Sequence, residues 1–313
     1  MSEQYTKHYS VLLKECLDYM NNAFLEANDG MEPHFADMTF GGGGHSSELA
    51  GLHKNSRVYS VDQDPEAIEN GNQIIGKLNL RENLFLNKMN YEEFPSWIEA
   101  NKPELKFHGI LMDLGVSSHH FDKFDRGFSF REDAPLDMRM DFQNERLYTA
   151  AEVLNTFDEE DIADIIFKYG EERLSRRIAK NIVEARSDKK IETTKELENI
   201  CFHAYPVSQR HKKTHPATKT FQALRIFVNR ELEVLENTLE KLYDLLLPGG
   251  VLAVISFHSL EDRIAKHKFK EIFQINKKTA KILTKKPVYP SESELSENSR
   301  SRSAKLRVLQ KLN

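Results

Sequence analysis

The stretch HFADMTFGGGGH, residues 34–45, decides the fold class of this protein. Its first part, residues 34–38, is short and mainly apolar and predicts a β-strand, and four glycines separate that strand from a predicted helix at 46–52. Glycines in this position let the backbone turn sharply and approach a ligand beneath the helix N-terminus. The stretch therefore predicts a nucleotide-type ligand at the carboxyl end of a strand.

Strands and helices alternate on both sides of this stretch. Further strands are predicted at 57–61, 84–86, 109–112 and 251–257. Asp64 and Pro65 predict the start of a helix that ends near Lys77, and apolar residues spaced by threes and fours from Phe221 to Leu246 predict one long helix. This alternation is typical of an α/β fold with a mostly parallel, Rossmann-like sheet.

A long insertion separates the fourth strand from the long helix. It spans about 100 residues, where an ordinary connection takes a handful plus one helix. Its periodicity is helical, and Thr193 with Glu196 forms a capping box. We therefore predict an inserted all-helical domain at 123–217, and a discontinuous main domain formed by 1–122 and 218–313.

The composition excludes several classes of protein. Of the 313 residues, 30% are charged and 39% are hydrophobic, a profile typical of a globular protein and not of a disordered chain. Apolar runs such as 251–257 are far shorter than the roughly 20 residues that span a bilayer, so no membrane association is expected. The N-terminal residues lack a signal-like pattern, which predicts a cytoplasmic protein. Cys16 and Cys201 form no CxxC, and no metal-ligand spacing is visible, so we expect no metal.

Positive charge is concentrated in two stretches. Residues 262–313 contain 14 Lys/Arg against 5 Asp/Glu, and residues 205–230 contain six Lys/Arg and no acid, although the whole chain has a net charge of −5. Such concentration in an otherwise acidic protein predicts a polyanionic partner, with a solvated surface as the alternative. The candidate phosphate contacts are Arg210, Lys212, Lys213, Lys305 and Arg307.

The glycine loop does not match a dinucleotide site. The pattern G-x-G-x-x-G needs a third glycine, but Ser46 and Ser47 stand at the two possible positions. An acid two residues before Thr39, followed by Gly41 and Gly43, resembles instead the first motif of class I S-adenosylmethionine methyltransferases. A tight turn is the structural alternative for the glycines.

Two carboxylates are placed to serve this loop. Asp62 ends the second strand, where a carboxylate can accept both ribose hydroxyls, and Asp113 ends the fourth strand. Ligands of open parallel sheets lie outside the strand C-termini, so Asp113 is expected to face the cofactor crevice. Caps of a helix or a turn are the alternatives for both residues.

Eight blocks of sequence, in order, carry a more specific resemblance. They are GGGGH at 41–45, DLGVSS at 113–118, RGFSFR at 126–131, PLDMRMD at 135–141, YGEER at 169–173, HPATKTFQALR at 215–225, SFHSLEDR at 256–263 and SRSAK at 301–305. Together they resemble the bacterial 16S ribosomal RNA cytosine-N4 methyltransferase family. The resemblance implies a class I methyltransferase domain with an inserted helical domain for substrate recognition.

The resemblance also implies a site for S-adenosyl-L-methionine, formed by Gly43, Gly44, His45, Asp62, Tyr91, Asp113 and His120. The loop with His45 would surround the methionine portion of the cofactor, and Asp62 would bind the ribose. Tyr91 stands where the family usually has a phenylalanine near the adenine. His120 stands where the family has glutamine, because this chain has His119 and His120 in place of Pro-Gln.

The implied reaction transfers the cofactor's methyl group to the exocyclic N4 of a cytidine in the decoding region of 16S rRNA, within the small ribosomal subunit. Such an amine needs an acceptor for its protons, and Asp113 is the leading catalytic candidate. Ser256 and His258, after the fifth strand, are candidates for the base pocket, although His258 could instead be structural. Methylation at carbon 5 would need a cysteine nucleophile, and neither cysteine is suitably placed.

Two other functions remain open from the sequence. One is an amino-methyltransferase that acts on another nucleic acid, at DNA cytosine N4 or adenine N6. The other is a non-catalytic RNA-binding assembly factor that keeps a cofactor pocket. A loop that combines phenylalanines with arginines is a candidate RNA contact, with core packing as the alternative. Its members are Phe121, Phe124, Phe128, Phe130, Phe142, Arg126, Arg131 and Arg139.

Overall fold

The computed structural model describes residues 10–27, 30–117, 119 and 123–312. The chain separates into two compact units. One consists of Met1–Ser117 with Leu232–Asn313, and the other is Ser118–Glu231. The helical insertion predicted at 123–217 falls within the second unit.

The first unit contains a seven-stranded sheet. Its strands are β1 (His34–Asp37), β2 (Arg57–Asp62), β3 (Leu84–Lys88), β4 (Phe107–Asp113), β5 (Leu246–Ser256), β6 (Ala280–Ile282) and β7 (Lys305–Lys311). They are ordered β3-β2-β1-β4-β5-β7-β6. The pairs from β3 to β5 are parallel, and β7 is antiparallel to both β5 and β6. The predicted α/β fold with a mostly parallel sheet is confirmed.

The α-helices of the described residues follow the predicted alternation. They are α1 (Leu13–Ala27), α2 (Gly44–Leu52), α3 (Pro65–Lys77), α4 (Phe94–Asn101), α5 (Ala150–Thr156), α6 (Glu159–Gly170), α7 (Ser175–Asp188), α8 (Thr194–Ala204), α9 (Thr218–Val228), α10 (Glu231–Asp244), α11 (Ser259–Ile275) and α12 (Glu292–Glu297). The start of α3 is as predicted, because the Asp64 side chain accepts from the Glu66 N–H and Pro65 is the first helical residue.

The sheet of the first unit is buried on both faces, which explains the continuous apolar runs of its central strands. One core contains Phe94, Phe107 and Leu239. The other contains Phe35 and Leu111 together with Met20 from α1. Residues 107–112 are all buried, so the first side chain of β4 that reaches solvent is Asp113 at its carboxyl end.

The second unit is helical in its described part, from α5 to α9. The predicted capping box at Thr193 and Glu196 is present, and Thr149 with Glu152 forms another at the start of α5. The end of α6 packs closely on α9, because a Cβ at Gly170 would lie 2.5 Å from the Lys219 carbonyl oxygen. This contact places α9 in the helical unit, so the unit extends beyond the predicted end at residue 217.

The single long helix predicted from Phe221 to Leu246 is wrong. Two helices, α9 and α10, are separated at Asn229 and Arg230, and Arg230 has a positive φ of 53°. The buried Asn229 side chain donates to the Met138 carbonyl (2.8 Å) and accepts from the Met140 N–H (2.7 Å). The apolar spacing continues through the break because both helices bury one face. The Pro248–Gly250 run does not end a helix but lies inside β5.

We expect Asn229→Ala to destabilise the protein by about 1 to 3 kcal/mol, because it leaves buried backbone groups at Met138 and Met140 without partners. Urea denaturation followed by circular dichroism would measure the change. Asn199→Ala, at an exposed position of α8, is the matched control and should stay close to wild type. Equal stabilities for the two variants would contradict this role of Asn229.

Candidate active site

The carboxyl end of β1 is held by a network around Asp37. This buried side chain accepts from the Thr39 N–H (3.1 Å) and from the Ser46 hydroxyl (2.6 Å). The Thr39 hydroxyl oxygen in turn accepts from the backbone N–H of Asp113 (2.7 Å). The network therefore joins the turn after β1 to α2 and to the end of β4, which places Asp113 beside the glycine loop as predicted from topology.

The glycine loop needs glycines for its backbone conformation and for its close packing. Gly41 and Gly43 have φ values of 51° and 75°, in the left-handed region that favours glycine. A Cβ at Gly43 would lie 2.5 Å from the Phe40 ring, and one at Gly44 would overlap the Ser10 hydroxyl. A Cβ at Gly41 would meet nothing closer than 3.8 Å. The loop is thus tightly packed at Gly43 and Gly44, whereas a Cβ at Gly41 would make only ordinary van der Waals contacts.

Asp62 ends β2 and supports this loop from the side. One of its carboxylate oxygens accepts from the Gly41 N–H (2.7 Å), and the other accepts from the Asp64 N–H (2.9 Å). Burial raises the pKa of Asp62 to about 7, although these two N–H donors act in the opposite direction. Each carboxylate oxygen can accept a second hydrogen bond, so Asp62 keeps the capacity to bind a diol while it fixes Gly41.

His45 and Asp113 face each other at the start of α2. The Nε2 atom of His45 lies 3.0 Å from the Val11 carbonyl oxygen and donates its proton there, which leaves Nδ1 as an acceptor. Burial lowers the pKa of His45 to about 4, so the ring is neutral at pH 7. Nδ1 lies 3.7 Å from Oδ2 of Asp113. These two acceptor atoms are close enough together to accept hydrogen bonds from a single donor group.

The other oxygen of Asp113 is also available to a ligand. Oδ1 is buried, and no hydrogen-bond partner for it is found among the described residues. Burial raises the pKa of Asp113 well above its usual range, and the negative charges of Asp37, Glu261 and Glu294 act in the same direction. A buried acceptor with raised basicity is a suitable receiver for a proton.

Tyr91 lies on the same edge of the sheet, in the turn that follows β3. Asp62 and Lys88 are paired in the β2–β3 register, and the Met89 N–H donates to the Asp62 carbonyl (3.0 Å). Asn90 is linked to Gln63 at 3.0 Å, so the turns after β2 and β3 are joined. The structure thus brings the half-buried Tyr91 to the edge that holds Asp62. His120 lies outside the described residues.

Ser256 is the last residue of β5 and His258 follows it, next to the position that pairs with Asp113 in the sheet register. The Ser256 hydroxyl lies 3.4 Å from the Lys305 carbonyl oxygen and is buried. His258 caps α11, because its Nδ1 accepts from the Glu261 N–H, and the Glu261 carboxylate accepts from the Phe257 N–H (2.8 Å). Both residues have structural partners. Their role as substrate contacts stays a prediction.

Three supporting residues were missed at the sequence level. Thr39 and Glu261 hold the ends of β4 and β5, and Val11 binds His45. A histidine three residues before a glutamate at a helix start is a capping pattern, but histidine is a rare member of it. The signal for Glu261 was therefore present and weak, whereas a backbone carbonyl such as that of Val11 leaves no mark in a sequence.

The residues fit a cationic nucleotide ligand such as S-adenosylmethionine. Three features lie along one edge of the sheet, at the ends of β1, β4 and β2. They are Gly41, where a Cβ would not collide with a neighbour, the buried Oδ1 of Asp113, which has no hydrogen-bond partner among the described residues, and the Asp62 carboxylate. Asp37, Asp62 and Asp113 also give this edge a negative field, which favours a positive ligand. When bound, the cofactor would supply a methyl group on a sulfonium sulfur.

Comparison with known proteins identifies the family of this chain. The model of the MraW methylase family matches residues 5–312. The chain belongs to the MraW methylase family. A relative from Nostoc punctiforme, ribosomal RNA small subunit methyltransferase H, is 49% identical over 89% of this chain and 88% of its own length. A protein of the same name from Sulfurihydrogenibium azorense is 45% identical over 98% of this chain and 99% of its own length.

Membership of the MraW methylase family confirms the predicted resemblance and the prediction of an S-adenosylmethionine-dependent methyltransferase. Within the described residues, no helix of this methylase has the length and apolarity needed to span a bilayer. The family membership agrees with the fold, whose parallel sheet carries the candidate cofactor residues on the carboxyl ends of its strands.

One predicted phosphate contact of this chain is wrong. Arg307 is buried in β7, and its Nε lies 2.6 Å from a carboxylate oxygen of Asp262. Lys305 binds the other oxygen of Asp262 at 3.1 Å. The basic tail is thus partly neutralised inside the first unit by an acid on α11. Charge counting along the sequence missed this pairing because Asp262 is more than forty residues away.

The loop of phenylalanines and arginines in the second unit is mainly structural. The buried Arg126 side chain donates to the carbonyl oxygens of Arg139 (2.7 Å) and Met140, and its guanidinium lies over Phe128 and Phe142. Arg139 forms a two-pronged ion pair with Asp137. Of the three arginines, Arg131 is exposed. The side chains of Phe121 and Phe124 lie outside the described part of the chain.

We expect S-adenosylhomocysteine to bind, and Asp62→Ala to weaken the binding by about 1 to 3 kcal/mol, the range for losing hydrogen bonds to a charged acceptor. Calorimetry measures this, with Glu69→Ala, an exposed acid on α3, as the control. An Asp62→Ala variant with wild-type affinity would remove Asp62 from the site.

The same residue gives a dependence on pH. Asp62 ionises as the pH rises through about 7, and the ionised form is the stronger acceptor. Wild-type affinity for S-adenosylhomocysteine should therefore increase between about pH 6 and about pH 8. This increase should be absent in Asp62→Asn, and its persistence there would assign it to another group.

Proposed function

We propose that this chain transfers the methyl group of S-adenosylmethionine to the exocyclic N4 of a cytidine in the decoding region of 16S rRNA. The names of its relatives, ribosomal RNA small subunit methyltransferase H, support the choice of small-subunit rRNA. The single observation that carries the chemistry is the buried Oδ1 of Asp113 beside the glycine loop, for which no hydrogen-bond partner is found in the described part of the chain.

An exocyclic amine is a poor nucleophile because its lone pair is delocalised into the ring. An acceptor for its protons localises that lone pair and receives the proton that must leave during transfer. Asp113 has the required features, since burial raises its pKa and its backbone N–H is fixed by Thr39. Holding amine and methyl donor in line at this edge would supply the remaining acceleration.

Methylation at a ring carbon is disfavoured by the state of the cysteines. That reaction begins with attack by a thiolate on the ring. Cys16 and Cys201 are both buried, and burial raises the pKa of the Cys16 thiol well above its usual range and that of Cys201 to about 12. Neither is an accessible thiolate near neutral pH, which supports an amine as the methyl acceptor.

The function is tested by supplying labelled S-adenosylmethionine with three acceptors: assembled small ribosomal subunits, free 16S rRNA and naked DNA. We expect label in rRNA from at least one of the first two, recovered after digestion as N4-methylated cytidine. Label in DNA would favour the alternative amino-methyltransferase. Cofactor binding without label in any acceptor would favour the non-catalytic assembly factor.

The role of Asp113 is tested with Asp113→Asn, which keeps the shape but loses the proton acceptor. Turnover at saturating cofactor and RNA should fall by roughly 10² to 10⁴, the usual span for a positioned acid or base. Asp18→Asn, an exposed carboxylate on α1, is the control. Unchanged turnover in Asp113→Asn would assign proton acceptance to another group, and calorimetry with S-adenosylhomocysteine separates any loss of cofactor binding.

A surface of the second unit is suited to RNA. Phe202 on α8 is half-buried, with the Arg210 guanidinium 5.2 Å from its ring centre and the His211 ring 5.7 Å away. Lys212 and Lys213 beside them are exposed. Cations grouped around an aromatic ring suit phosphates and splayed bases. With Arg307 bound to Asp262, this surface is the better candidate for RNA contact.

If Lys212 and Lys213 each neutralise one phosphate, replacing both by alanine should flatten the slope of log affinity against log salt by roughly 1.4, at about 0.7 per contact. Binding of a 16S rRNA fragment at several salt concentrations measures the slope. Lys277 and Lys278, exposed in the first unit, form the matched control pair. An unchanged slope, or equal flattening in the control, would contradict a specific phosphate contact here.

A further inference from the structure

The turn formed by residues 10–12 is buried against the glycine loop. Ser10 packs on Gly44, and the Val11 carbonyl oxygen accepts from His45. Leu12 has a φ of 53°, a left-handed conformation that a leucine rarely adopts and that surrounding contacts must impose. Its carbonyl accepts from the Cys16 N–H (3.0 Å) at the start of α1. The contact that holds its N–H comes from far away in the chain.

That contact is Glu294. Its Oε1 accepts from the Leu12 N–H at 2.9 Å, in a buried hydrogen bond between residues 282 positions apart. Glu294 is the buried residue of α12, where the neighbouring Glu292 and Glu297 are exposed. The Ser/Glu-rich composition of residues 291–299 predicts a mobile loop, and this prediction is wrong for residues 292–297, which form this helix. Burying a carboxylate is unfavourable unless it is hydrogen-bonded, so the contact of Glu294 with the turn is specific.

The turn connects Glu294 to the candidate active site. The peptide between Val11 and Leu12 presents its carbonyl to His45 Nε2 and its N–H to Glu294. One rigid amide carries both bonds. The Glu294 carboxylate that accepts from its N–H therefore also fixes the direction in which its carbonyl oxygen points. His45 is thereby kept with its proton on Nε2 and its Nδ1 lone pair toward Oδ2 of Asp113, at 3.7 Å.

We propose that Glu294 is a positioning residue of the methyl-transfer site, which holds the Val11–Leu12 peptide and through it the tautomer and orientation of His45 beside Asp113. The inference rests on the proposed function. Its consequence is a pair of acceptors, Nδ1 of His45 and Oδ2 of Asp113, aimed at the same space. A positively charged donor, such as the amino group of the cofactor's methionine portion, matches that pair.

Two ligands distinguish positioning from a general loss of structure. S-adenosylhomocysteine carries the amino-acid portion, whereas methylthioadenosine has the same nucleoside without it. We expect Glu294→Ala to weaken S-adenosylhomocysteine by about tenfold in calorimetry, the factor for one hydrogen bond to a charged group, and to leave methylthioadenosine unchanged. Glu294→Gln keeps an acceptor oxygen and should bind both ligands as wild type does. Glu292→Ala is the control on the same helix.

A double-mutant cycle tests the route through His45. If Glu294 acts by orienting His45, Glu294→Ala should produce no further loss of S-adenosylhomocysteine affinity in a His45→Ala background. Additive losses would overturn the inference. Should Glu294→Ala fail to fold, Glu294→Asp retains the charge on a shorter side chain and should show the same selective loss.

The outcomes separate this inference from the function on which it rests. A wild-type protein that binds neither ligand would contradict the proposed function. A wild-type protein that binds both, with Glu294→Ala and Glu294→Asp indistinguishable from it, would overturn the positioning role alone. Equal loss of both ligands in the two variants would also overturn it, because that result assigns Glu294 to structure in general.

Discussion

The parallel pairing of β1 with β2 on one side and β4 on the other is the constraint on which the site depends. The register sets the carboxyl ends of all three strands at one edge, with Asp37 opposite Ser60 and Leu111. The glycine loop, Asp62 and Asp113 lie at those ends. Side-chain hydrogen bonds then fix the positions of groups that the strand pairing has already placed close together. The Thr39 hydroxyl holds the Asp113 N–H, and Asp62 holds the Gly41 N–H.

This edge gathers carboxylates that destabilise one another. Burial and mutual repulsion raise the pKa of Asp62 and Asp113, whereas backbone N–H donors oppose the shift at Asp62. A folded protein retains such a group of acids when a positive ligand relieves the repulsion. The negative field and the proposed reaction thus have a common basis, because a sulfonium ligand reduces the repulsion and a basic carboxylate receives the leaving proton.

Features encoded by neighbouring residues were predicted well from the sequence. The strands, the Asp64–Pro65 helix start and the Thr193–Glu196 capping box depend on local spacing. Features that depend on distant partners were not. Asn229 breaks a helix because it binds the backbone near Met138, Arg307 is withdrawn from solvent by Asp262, and Glu294 reaches Leu12 across the length of the chain. The described residues that the family resemblance implies for the cofactor lie along one edge, but the resemblance gave none of their hydrogen-bond partners.

The glycines of the loop differ in the reason why a side chain is absent. Gly43 and Gly44 are required by the fold alone, because a side chain there would collide with Phe40 or Ser10. Their presence is therefore weak evidence of a ligand. Gly41 differs, since a Cβ would meet no close neighbour and the N–H is already held by Asp62. The left-handed φ of Gly41, 51°, still favours glycine, and the carboxylate that holds its N–H is the one proposed to bind the ribose. Of Gly41, Gly43 and Gly44, Gly41 is thus the one whose place in the loop is tied to the proposed ligand through Asp62 and not to close packing.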